Sequence, residues 1–383
     1  MIGDLLNDYG YNEFGFDECL MNHVLNEDNT IGSGKNIGTP TERSWPFDSP
    51  VGAVGMTPMA TVDILSFYDG PITHVETKEM LLASLANGGN VKLDSDITGV
   101  QRNETVMVNK DTNLNLNGKT ISKAADGMTI AQAIDGATLT IDGTAEGSKI
   151  EGRVMAGIAT GNNGNIVIKG GTYELKDMQD AVLQTNGTCD HVVVTATDAV
   201  LVSNDDDALY LAANGEYTFK NCIISGCTGI YMKSGSLTID GGEVVATGAF
   251  ADPVPNGNGA SSTGDAIIMD AKKGYMGNMN LVIKGGAKIS SLNGYAVRET
   301  FTDDTKTAVH SIDIQDAELI SGKETKVSLS NYFKEALEAG TCTMHVGPNV
   351  ASQENVLDAA IYEIDADGNV HVKSEDVEET EQI

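Results

Sequence analysis

One short pattern, apolar, variable, apolar, polar, then Gly, Asn or Asp, returns along most of this chain and restricts its fold more than any other feature. It is written as Leu114-Asn115-Leu116-Asn117-Gly118, Leu139-Thr140-Ile141-Asp142-Gly143, Ile166-Val167-Ile168-Lys169-Gly170, Tyr217-Thr218-Phe219-Lys220-Asn221, Leu237-Thr238-Ile239-Asp240-Gly241, Leu281-Val282-Ile283-Lys284-Gly285 and Ile312-Asp313-Ile314-Gln315-Asp316. With Val194 filling the gap between 168 and 219, the central apolar positions advance by 25, 27, 26, 25, 20, 44 and 31 residues. A period of 20 to 27 residues matches one turn of a β-solenoid, and the step of 44 holds an inserted loop or a further coil. A second series runs in phase: Ala181-Val182-Leu183, Ala208-Leu209-Tyr210-Leu211, Gly229-Ile230-Tyr231-Met232, Ala266-Ile267-Ile268-Met269 and Tyr295-Ala296-Val297. The pentapeptide Val-Ile-Lys-Gly-Gly occurs verbatim at residues 167–171 and 282–286, each time leading into another β-type run. Its position at a repeating corner marks it as scaffold.

A single coil cannot bury its own inward side chains. Stacked at about 4.8 Å, coils pair every backbone N–H and C=O with a neighbour and turn the inward positions into ladders of Ile, Val and Leu. The expected fold is therefore all-β: a single-stranded right-handed parallel β-helix of about ten coils, roughly 50 Å long at that spacing. The opening Leu85-Ala86-Asn87-Gly88-Gly89-Asn90-Val91-Lys92-Leu93 and the coil Leu116-Asn117-Gly118-Lys119-Thr120-Ile121 are the residues that most resemble the pectate-lyase-like superfamily of right-handed parallel β-helices. The resemblance spans residues 90–325. It implies a fold used alike by polysaccharide lyases, glycoside hydrolases, phage tailspikes, fibres, head-decorating proteins and adhesins, so function has to come from sites.

Exposed end strands invite aggregation, and caps are expected at both ends. Thr77 is placed to N-cap a helix whose face carries Leu81, Leu82 and Leu85 and which Asn87-Gly88-Gly89 stops. At the other end Leu329, Phe333, Ala336 and Leu337 form an apolar stripe ended by Gly340, followed by short strands and a hairpin through Asp367-Gly368. Asp365-Ala366-Asp367-Gly368-Asn369 faintly resembles a calcium loop, but a hairpin turn explains it better. Residues 1–76 read differently: Gly and Pro punctuate an apolar stretch that holds Trp45, the only Trp. An extended N-terminal arm that orders against a partner is expected there, with Trp45, Phe47, Val51, Val54, Met56 and Met59 as its docking residues. The chain thus divides into the arm (1–76), the capped β-helix (77–325) and a C-terminal cap with a small β-rich segment and acidic tail (326–383).

The net charge of −31 disfavours nucleic acid and anionic membranes as partners. The N-terminus has neither a basic nor an apolar signal region, so synthesis in a cytoplasm is expected. Five widely spaced cysteines without a Cys-x-x-Cys pair suit neither zinc nor redox chemistry, and Cys222 and Cys227 are expected as small core residues. Chemistry would need carboxylates on one face of neighbouring coils. Asp205 and Asp206 resemble the paired aspartates of polygalacturonase-type hydrolases, which implies general acid and base roles for such residues, and with Asp207 they are the catalytic candidates were the chain an enzyme. That family's Gly-His-Gly and Arg-x-Lys segments have no counterpart, and Arg298 stands alone. Asp180 and Asp207 each precede a strand of the second series; stacked one coil apart they would suit a cation such as Ca2+, the one cofactor the sequence suggests.

The layout favours a non-catalytic structural virion protein of a phage, of capsid-decorating, head-fibre or tail-fibre type, that docks through its arm and displays the β-helix. Capsid or tail subunits are the expected partners, with a homo-oligomer, naturally a trimer for a projecting fibre, and a host-surface glycan as a further partner. Localisation is expected in the virion. The alternatives are a β-helix polysaccharide lyase or hydrolase, as in a depolymerase tailspike, and a bacterial surface adhesin.

Overall fold

Runs of four to six residues in which every second side chain is buried need a sheet with one inward face, and this chain writes three such runs per coil. The computed structural model describes residues 71–253, 261–271, 275, 278–301, 309–351 and 353–374. The arm residues from Trp45 to Met59 lie outside these. Within the unit Pro71–Ile383 the strands form three all-parallel sheets of 11, nine and nine strands and one antiparallel pair. Successive strands visit the first, second and third sheet in turn, as Asn165–Gly170, Thr172–Leu175 and Leu183–Thr185 do, and each pairs with its equivalent in the next coil. The fold is a parallel β-helix. Nine three-strand coils run from Gly89–Leu93 to Val327–Ser328, while Ile72–Val75 and Thr343–Val346 each add a strand to the first sheet.

The inward ladder of the first sheet runs Val91, Leu114, Ile141, Ile168, Ala196, Phe219, Ile239, Ile283, Ile314 and Val346. All ten are buried. Two members differ from the sequence expectation: Leu114 and Ala196 occupy the rungs assigned to Leu116 and Val194. Each slip is of two residues, which leaves the same face inward and so escapes detection by pattern. The step of 44 is one coil, because Gly235–Asp240 pairs directly with Met279–Lys284. Its excess length lies mainly between Glu243–Ala246 and Ile267–Ala271, as an inserted segment.

The two Val-Ile-Lys-Gly-Gly copies turn the chain from the first sheet to the second. Gly170 and Gly171 have φ of 64° and 82°, Gly285 and Gly286 of 69° and 70°, and Asn117, Asp198 and Asn221 take the same left-handed region at neighbouring corners. At Gly242 (φ 74°) space adds to conformation: a Cβ there would lie 2.2 Å from the Cys222 carbonyl oxygen.

Helix α1 (Lys78–Asn87) closes the N-terminal end. Thr77 Oγ1 accepts the Met80 N–H, Leu81, Ser84 and Leu85 are buried, and Gly88 at φ 76° ends the helix. Helix α2 (Asn331–Glu338), N-capped by Ser330, buries Phe333 and Ala336 at the C-terminal end, with Leu329 and Leu337 packed against the core. Tyr362–Ile364 and Val370–Val372 form the hairpin. Its Asp365 carboxylate accepts the Asp367 and Asn369 N–H groups and pairs with His371, which holds its pKa well down and commits it to the turn. Among the described residues no helix is long and apolar enough to cross a membrane.

Candidate functional site

Strands Asp207–Leu211, Thr228–Met232 and Ile267–Ala271 of the third sheet are buried on both faces. Their inward residues Leu209, Ile230 and Ile267 form one ladder; Tyr210, Tyr231 and Ile268 form another on the outer face. The outer ladder joins Ala181 and Ala212 in a second apolar cluster, against which Tyr275 packs. Tyr210 and Tyr275 share a hydroxyl–hydroxyl bond of 2.8 Å, and the Tyr210 and Tyr231 rings meet edge to face. In the solenoid interior Tyr173, Tyr217 and Phe219 are among the largest fully buried side chains.

Polar groups are drawn into the same covered face. Lys233 and Asp270, 1% and 0% exposed, form an ion pair of 2.5 Å; Tyr231 Oη donates to the same carboxylate oxygen at 2.8 Å, and the ammonium lies 4.2 Å from the Tyr231 ring centre. Asp207 is buried beside them. Burial, and then the charge of Asp206, push its carboxyl up to about 8. Burial raises Asp206 as well, with the Asp180 charge as a lesser cause. Ser262 Oγ, from the inserted segment, reaches Asp206 at 2.7 Å and Asp207 at 3.3 Å.

The four sequence-selected aspartates are therefore in different situations. Asp205 accepts the Asp177 N–H of the preceding coil at 3.0 Å, the work of a turn residue. Asp206 and Asp207 share Ser262. Asp180 is half-buried and pairs with Arg153 Nη1 at 2.6 Å, and Arg153 also holds Gln184 Oε1 and Thr129 Oγ1. The carboxyl group that feels Asp180 is Asp206, while Asp207 answers chiefly to Asp206, Thr228 and Ser262. Asp265, the third aspartate before a strand of this series, accepts the Tyr295 N–H at 2.8 Å and lies 3.5 Å from Arg298. Arg298 is far from alone in space: it binds Asp252 and the Ala251 carbonyl and lies against the Phe250 ring. No group of three or more His, Cys, Asp or Glu side chains is gathered to hold a metal ion among the described residues.

Cys189, Cys222 and Cys342 are buried free thiols raised by burial, whereas Cys227 is only half-buried and so is not the core residue expected. Two buried polar groupings escaped the sequence: Lys233 with Asp270 and Tyr231, and Glu299 with His310. For both, the trace in the sequence is a charged residue at or beside a third-sheet strand. Such a residue reads as a solvated edge until the neighbouring coils are aligned.

Comparison with protein-family models, with curated proteins and with solved structures returns no match in any of the three.

Proposed function

We propose that this chain is a non-catalytic structural protein of a phage particle, a member of the pectate-lyase-like β-helix group used for display, in which the rigid solenoid is presented and the residues before Pro71 dock on capsid or tail subunits; the strand Ile72–Val75, expected in the arm, belongs to the solenoid. The observation that carries this reading is the fate of the rings and carboxylates on the third sheet. Sugar clefts work with exposed aromatic faces and an open pair of carboxyl groups. Here Tyr210 and Tyr231 are sealed, Asp207 is 3% exposed and Asp206 is bonded to Ser262 of the inserted segment. The two carboxyl groups are spent on Ser262, and the two tyrosines on Tyr275 and Asp270. The large acidic surface suits a particle exterior that must stay soluble and unaggregated.

A second reading, a β-helix glycosidase or lyase, rests on one observation: Asp206, with its pKa raised, lies near Asp180, which Arg153 holds at 2.6 Å. One experiment separates the two. The full chain is incubated with acidic and neutral polysaccharides, and new reducing ends and unsaturated uronates are measured. The display reading predicts neither. Product formation that Asp206→Ala abolishes overturns it in favour of the enzyme.

A further inference from the structure

Near the C-terminal end two inward rows that hold methionine, a pair on the third sheet and a single residue on the first, change character. On the third sheet Met232 is in register with Met269, and Met269 with Glu299; on the first sheet Met279 is in register with His310. Met269 thus gives way in the following coil to an acid, and Met279 in the coil after its own to an imidazole, 1% and 0% exposed. The two meet, with His310 Nδ1 2.8 Å from Glu299 Oε1. Glu299 Oε2 accepts the backbone N–H of Ser330, the N-cap of α2, at 2.9 Å. Around them Phe301 stacks on the imidazole at 5.7 Å, Tyr332 and Phe333 approach it from α2, and Cys342 Sγ accepts the His310 backbone N–H. His310 Nε2 is buried with no hydrogen-bond partner.

For stability alone this is a poor arrangement. Exchanging well-packed apolar side chains for a buried ion pair breaks even or costs free energy, and an unpartnered buried nitrogen adds to the cost. A carboxylate does what methionine cannot: while one oxygen holds the imidazole, the other accepts the first backbone donor of α2. Its strand, Val297–Phe301, is paired by the last coil only at Val297 and Arg298, which leaves the position of Glu299 to the cap.

We propose that Glu299 and His310 act as an end-stop, holding α2 over the interior of the last coil and so preventing a second copy of this chain from extending the sheets. The strand edges at this end are covered by the chain that follows α2. Val327 donates to the Val356 carbonyl, Ala351 to the Ala317 carbonyl and Val346 to the Gly368 carbonyl, at 2.8 Å each. Because the chain passes straight from α2 into this cover, loosening the helix exposes three parallel edges, each a template for pairing.

The test is the full chain carrying Glu299→Met and His310→Met, which carries methionine one coil further in both rows, compared with the parent and with Glu299→Gln, which retains an acceptor for Ser330. The double variant is expected to unfold at the parent's temperature or above. Its amides in 331–346 should exchange about tenfold faster or more while those of the middle coils are unchanged. Light scattering should find concentration-dependent association, with rods in multiples of one length by electron microscopy, and Glu299→Gln should fall between. Unchanged exchange across 331–346 with the parent's mass distribution overturns the end-stop. So does loss of cooperative unfolding, because the pair would then be needed by the coils themselves.

Discussion

Asp207 concentrates the physical chemistry of the covered face in one carboxyl group. In the fold, burial pushes its carboxyl up to about 8, whereas in the unfolded chain it returns to the ordinary 3.8. Between these limits the folded state binds the extra proton, so this residue makes the protein less stable as pH rises, by at most about 1.4 kcal/mol per pH unit. Asp207→Asn, neutral and of the same shape, removes that slope. We expect the variant's thermal midpoint to match the parent's near pH 4 and to exceed it increasingly towards pH 8, measured by circular dichroism at half-unit steps. A constant difference across that range would mean that Asp207 is ionised in the folded protein. The sequence singled out Asp205, Asp206 and Asp207 together but could not divide their labour: Asp205 serves a turn, while Asp206 and Asp207 share Ser262, which for Asp207 lies some 55 residues further on.

At the scale of elements, the corners obey a local rule and the ladders a non-local one. Gly242 and Gly286 follow the same polar-Gly pattern and share φ near 70°, yet their surroundings differ. A Cβ on Gly286 meets nothing closer than 4.0 Å, whereas one on Gly242 lies 2.2 Å from the Cys222 carbonyl oxygen and 2.6 Å from its nitrogen. Gly286→Ala should therefore cost only the left-handed strain, about 1–2 kcal/mol. Gly242→Ala must also displace the backbone corner at Cys222 and should cost about 3 kcal/mol or more. Chemical denaturation of the two variants checks the order, and equal losses would mean that the corner relaxes freely. Strand direction, the two caps and the hairpin were legible because periodicity, N-cap residues and glycine stops are local signals. The rungs at Leu114 and Ala196 were not, since a slip of two residues keeps every side chain on its proper face.

For the molecule as a whole, the β-helix follows from stacking alone, while the contacts on its third-sheet outer face come from connecting segments, Ser262 before Ile267–Ala271 and Tyr275 after it. A periodic sequence advertises the former and says little about the latter, because a loop that folds back over a sheet has no period. The display reading belongs to this scale, and so does the arm, whose docking role predicts that a chain lacking residues 30–67 folds its β-helix but is left out of particles. The most direct test of the whole account is quantitative mass spectrometry of phage particles purified by density gradient from a host expressing the intact chain. The account predicts that the chain bands with the particles at a fixed ratio to the major coat protein. Its confinement to the soluble lysate, with no peptide in the particle band, would contradict it.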